Sequence, residues 1–152
     1  MKLTPSLFIL PLLFLAAPAW AENPMTGTWT VVEAKVGPWY DGNGAKPEID
    51  PKLARAKVVI TKTSVQGPSP LGCAKAKFTV STVGPESLFQ GVLKNPAKDA
   101  AALGFKEAKI TSVNEGCLRS DADLEMDFAL VDHDTVMFGL NNMVYKMTRV
   151  KP

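Results

Sequence analysis

The sequence predicts an all-β, mainly antiparallel chain that closes into an eight-stranded barrel with one short helix, and three observations carry that expectation. First, residues 121–130 alternate strictly: Ala122, Leu124, Met126, Phe128 and Leu130 are interleaved with Asp121, Asp123, Glu125, Asp127 and Ala129, the period of a strand with one buried and one wet face. Second, short β-branched or aromatic runs recur along the chain, bounded by clusters of Gly, Pro, Asn and Asp, which is how strands and their turns are written. Third, a helix of more than one turn is signalled in one place, where Asn95-Pro96 offers an N-cap and a proline at the first helical position and Gly104 a stop. Eight strands is the number at which a closed barrel is just filled by side chains or holds one small ligand, and closure removes exposed edges.

The first 21 residues read as an address. Lys2 gives a positive start, residues 3–17 an apolar stretch broken by Pro5 and Pro11, and Ala19-Trp20-Ala21 a small-residue cleavage site, the pattern of a secretory signal peptide cut after Ala21. No stretch reaches the roughly 18 apolar residues that a membrane span needs. A periplasmic or secreted protein is expected, with residues 22–152 forming one domain. The chain carries 17 Lys and Arg against 15 Asp and Glu; without Lys2 the balance is within one charge of neutral, so nothing resembles a nucleic-acid footprint. The two cysteines, Cys73 and Cys117, are expected to be bridged in an oxidising compartment. Closing so long a loop would contribute on the order of 4 kcal/mol in the chain-entropy model.

Gly27-Thr28-Trp29 opens the first strand, with Trp29, Val31 and Glu33 on one face and Thr30, Val32 and Ala34 on the other. A Gly-x-Trp at the start of the first strand resembles the mark of the lipocalin and wider calycin barrels, and the small bacterial lipocalin-like barrels suit this chain best. In that family the tryptophan plugs the closed end of the barrel under a basic side chain from near the end of the last strand. Arg149 stands where that base is required, so the resemblance implies that the two chain ends meet. It also implies an exported carrier or sensor of a small apolar ligand, held in a cavity lined by residues such as Phe78, Val80, Met126, Phe128, Met137 and Tyr145.

Residues 37–51 form a loop rich in Gly, Pro, Asp and Asn that carries Trp39 and Tyr40, two aromatics placed to act as a lid or a contact surface. Residues 57–65 read as the second strand. The loop Gly67-Pro68-Ser69-Pro70-Leu71-Gly72 then excludes regular structure. Strands are expected at residues 74–83, 87–93 and 105–114, with the helix at residues 97–103 between the last two. The meander closes the chain: after residues 121–130 comes the polar corner Asp132-His133-Asp134, then residues 135–140, then Asn141-Asn142, which tolerates the positive φ of a tight hairpin turn, then residues 143–150.

Catalysis has little support. One histidine, no free thiol, no Gly-x-Ser-x-Gly elbow and no phosphate loop are present, so a non-enzymatic role without a cofactor is expected. Metal binding is weak as well. Acids two apart on a strand stand almost 7 Å from each other, too far to share a cation unaided, so the row Asp121, Asp123, Glu125, Asp127 reads as a solvated face and Met126, Met137, Met143 and Met147 as adaptable core. The leading expectation is ligand binding between the Trp39-Tyr40 loop and the meander. The alternative is a protein-binding module, such as an inhibitor of a periplasmic, lysozyme-type hydrolase acting through the loop from Gly67 to Gly72, near Arg119.

Overall fold

Eight antiparallel strands follow one another around a single sheet in the computed structural model, which describes residues 22–117 and 124–151. They are β1 (Gly27–Val36), β2 (Lys57–Ile60), β3 (Val65–Gln66), β4 (Ala76–Val83), β5 (Ile110–Cys117), β6 (Leu124–Asp132), β7 (Thr135–Leu140) and β8 (Met143–Arg149), joined in the order β3-β2-β1-β8-β7-β6-β5-β4. A 3-10 turn, Pro85–Gly91, and a helix, α1 (Pro96–Ala102), lie between β4 and β5.

The first and last strands pair along their length, with Trp29 opposite Arg149. The two free ends of the ribbon then approach each other. Val65 and Cys73 exchange both backbone hydrogen bonds, at 2.7 and 2.8 Å, and the Ala76 amide donates to the Thr63 carbonyl at 2.8 Å. Beyond that point no strand pairs with the outer edge of β4 among the described residues. The barrel is therefore nearly closed, and Val80, on the inner face by alternation, is 37 % exposed where the wall is missing. The Cys73–Cys117 disulfide, with Cα atoms 5.8 Å apart, ties the closing segment to the end of β5.

The interior is packed with side chains. Phe138 stacks on Tyr145 with ring centres 5.1 Å apart and meets Phe128 edge-on at 5.5 Å, and Trp29, Val58, Ile60, Val113, Val136 and Met147 complete a buried cluster with them. A second apolar cluster lies outside the barrel wall. There the Pro85–Gly91 turn and α1 bring Leu88, Leu93 and Ala100 against the outward residues Ile110, Ala129, Met137 and Val144. The middle of β5 to β8 is thus buried on both faces, so Met137 and Phe138 are adjacent and both buried, as are Val144 and Tyr145.

Several expectations are corrected. Residues 87–93 are not a strand: Phe89 and Gln90 have φ of 51° and 63°, which breaks any extended run, and Leu88 goes to the outer cluster instead. The run at residues 57–65 is two strands, because Thr61 Oγ1 accepts from the amides of Thr63 and Ser64 and turns the chain. These two changes cancel, which is why the count of eight survives. The fifth strand begins only at Ile110 and extends to Cys117. A bulge between Val31 and Glu33 resets the alternation on β1, so Ala34 packs inward and Val32 is exposed. The helix lies where it is expected, one residue earlier, but Asn95 does not cap it through its side chain; the Asp99 carboxylate accepts the Asn95 amide at 2.9 Å. Asn141 and Asn142 adopt φ of 50° and 60°, the turn conformation expected of them.

Candidate functional site

At the closed end, the guanidinium of Arg149 lies 4.2 Å from the centre of the Trp29 ring. Its Nη1 and Nη2 donate to the carbonyls of Thr26 and Pro24, both at 2.8 Å, and Nε donates to the His133 carbonyl at 3.3 Å. Asp134 pairs with it at 3.3 Å, and the Trp29 indole N–H donates to the Met25 carbonyl at 2.7 Å. The polar corner Asp132-His133-Asp134 therefore braces this plug, and His133 is otherwise exposed, its Nδ1 2.9 Å from Asp134.

The concave surface with the chemistry of a binding site is at the opposite rim, where the Asn141-Asn142 turn joins β7 to β8. The Gly37 amide donates to the Asn142 carbonyl at 2.7 Å, and the loop folds so tightly there that a Cβ on Gly37 would meet the Trp39 ring. The Trp39 indole N–H donates to the Asn142 side-chain oxygen at 3.2 Å, and Asn142 Nδ2 donates onward to the Ala45 carbonyl at 3.1 Å. One turn residue thus fixes both the ring and the loop behind it. Phe89, set by its positive φ, lies with its ring centre 5.3 Å from that of Trp39, tilted by 38°. Both rings approach Gly139, where a Cβ would stand 3.2 Å from Phe89 Cδ1 and 3.5 Å from Trp39 Cη2; the absent side chain lets two aromatics approach the wall.

Between these rings and the outer face of β6 is a cleft of about 310 Å³, lined by Trp39, Phe89, Gln90, Val92, Glu125, Met126, Asp127, Gly139, Leu140, Asn141 and Asn142. A smaller recess of about 160 Å³ adjoins it, sharing Phe89 and Asp127 and adding Ser81, Ser87, Ser112 and Asn114. Asn114 Nδ2 donates to Asp127 Oδ1 at 2.9 Å. Among the described residues, the charged side chains in these linings are Glu125 and Asp127. Asp41, on the same loop as Trp39, has its carboxyl held below the usual carboxylate range by the Asn43 amide, with Lys94 adding to the effect at 4.0 Å.

The residues expected from sequence divide between these places. Trp39 and Met126 line the cleft, and Phe128, part of the interior, reaches the smaller recess. Tyr145 is buried with its hydroxyl accepting the Asp50 amide at 3.0 Å. Phe78 packs against the interior and Tyr40 is half-buried on the loop. Met137, expected on the inner face, points outward into the second cluster. Phe89 and Gln90 were hidden in the sequence, since nothing local marks them for positive φ, and Asn142, expected as a turn residue, gave no sign that its side chain would hold Trp39. The Gly67-Pro68-Ser69-Pro70-Leu71-Gly72 loop is drawn in by the buried Leu71 and closed by the Gly72 amide donating to Pro68 at 3.1 Å.

As a metal centre the chain offers little among the described residues. Donor atoms of Cys73, Glu115 and Cys117 lie within 4.8 Å of one another, but both sulfurs are spent in the disulfide, and a disulfide supplies no thiolate. Of the acidic row, Asp121 and Asp123 lie outside the described residues, as does Arg119. No helix among the described residues is long and apolar enough to cross a membrane. Comparison with protein-family models, with curated proteins and with solved structures found no match, so the eight-stranded, nearly closed antiparallel barrel itself is what the fold establishes.

Proposed function

We propose that this chain is an exported, non-enzymatic binding protein of the lipocalin-like kind, a carrier or sensor of a small ligand with an apolar body. The ligand seats between the Trp39 loop and the β6-β7 strands. The observation that carries this reading is the pair Trp39 and Phe89, 5.3 Å apart, standing over Gly139 at the mouth of a cleft of about 310 Å³. That volume is at the lower bound of small-molecule sites, which run from about 300 to 1,000 Å³. Because aromatic side chains from three strands fill the middle of the barrel, the rim rather than the centre offers room. The Trp29–Arg149 plug supports the calycin likeness, and the Cys73–Cys117 bridge suits the oxidising compartment to which the leader at residues 1–21 points.

The test is native mass spectrometry on protein recovered from its own cell envelope, beside the W39A and F89A variants. A co-purifying small molecule should be present on the parent chain and lost, or held about tenfold more weakly, on either variant, the scale expected when a stacking aromatic is removed. An unchanged ligand load in both variants would remove the cleft from consideration.

A further inference from the structure

We infer that the ligand of the rim cleft is an organic cation, an ammonium or guanidinium group on an apolar body. This rests on the binding reading above and adds the sign of the charge. Glu125 and Asp127 are two apart on β6, so both project from the outer face of the wall that lines the cleft. The adjoining recess contributes hydroxyl and amide groups, and among the described residues neither lining includes a Lys, Arg or His. Lys94, on the chain that leaves the Phe89 turn, pairs instead with Asp41.

The aromatic side of the cleft has the same electrostatic sign. Ring faces carry the negative part of the π quadrupole and attract cations. The indole N–H, the part of Trp39 that could serve an anion, is already given to Asn142, whose own amide hydrogens turn to Ala45. An anion entering the cleft would meet the carboxylates and the two rings, with the side-chain amides of Gln90 and Asn141 to receive it among the described residues. A cation would meet carboxylates on one wall and the Trp39 and Phe89 rings on the other, while Val92, Met126 and Leu140 take up its apolar body.

Trp39 is its own reporter, since Trp29 is sealed in the core and the third tryptophan, Trp20, belongs to the leader. The mature chain would be titrated by fluorescence with benzyltrimethylammonium, neutral 2-phenylethanol and anionic 3-phenylpropionate. The cation should bind about tenfold more tightly than the alcohol, and the carboxylate most weakly, with the gap narrowing as salt rises. E125Q and D127N should each weaken the cation about three- to tenfold and leave the alcohol unchanged, with thermal unfolding run alongside to show that both variants fold. Equal binding of all three probes overturns the charge assignment and leaves the cleft standing. Silence of Trp39 toward all three overturns the binding reading together with it.

Discussion

Arg149 shows how much one side chain organises. Its guanidinium reaches the carbonyls of Pro24, Thr26 and His133 while covering the Trp29 ring, which joins the lead-in, the β6-β7 corner and the first strand at one point. A lysine carries the charge but not the planar fork. R149K should therefore lower the unfolding free energy by about 2 kcal/mol, the scale of one or two hydrogen bonds to a charged group, read in urea titration by the midpoint. An unchanged midpoint would mean that the indole is covered without the fork. This plug was expected because Gly27-Thr28-Trp29 resembles a mark that calls for a basic side chain near the end of the last strand, where Arg149 stands. The cleft was not. Its aromatic partner Phe89 is positioned by a left-handed backbone that Gly would ordinarily supply, and Gly139, spaced like any strand residue, gives no sign that two rings need its missing side chain.

At the scale of elements, the segment between β4 and β5 is where sequence and structure part. Read alone, residues 87–93 are apolar enough for a strand, yet a strand there would have placed Leu88 and Phe89 on opposite faces of the sheet. Instead the turn and α1 lie over the barrel wall, and Leu88 is buried against Ile110, Ala129 and Met137. The same fact explains why Met137 was assigned to the wrong face: alternation identifies the buried face only when the other is wet, and here both are covered. L88A should cost about 2 to 4 kcal/mol through the cavity it leaves and, by loosening the turn that presents Phe89, weaken ligand binding as well. The matching change inside the barrel, V113A, should destabilise without altering the cleft. Denaturation and binding measured on both variants separate the two effects. Of the acids alternating over residues 121–127, Glu125 is exposed beside the buried Met126 and Asp127 is half-buried.

For the molecule as a whole, the barrel is an interrupted ring whose ends are held by few bonds. β3 is two residues long, and past Ala76 the outer edge of β4 has no strand beside it among the described residues. The disulfide stands at this weak point. Reducing Cys73–Cys117, or replacing both with alanine, should lower stability by about 3 to 4 kcal/mol, a large share of what a domain of this size has.

That gap has a consequence for how the protein would wear. Along β4 every second amide faces β5 and the others face open water, so deuterium uptake over residues 77–83 should be biphasic, with the slow half becoming fast once the disulfide is cut. A chain in that state presents a β-branched ribbon that can zip onto its twin, and Lys75 and Lys77, exposed at its beginning, are the charges that would keep two such ribbons apart until salt silences them.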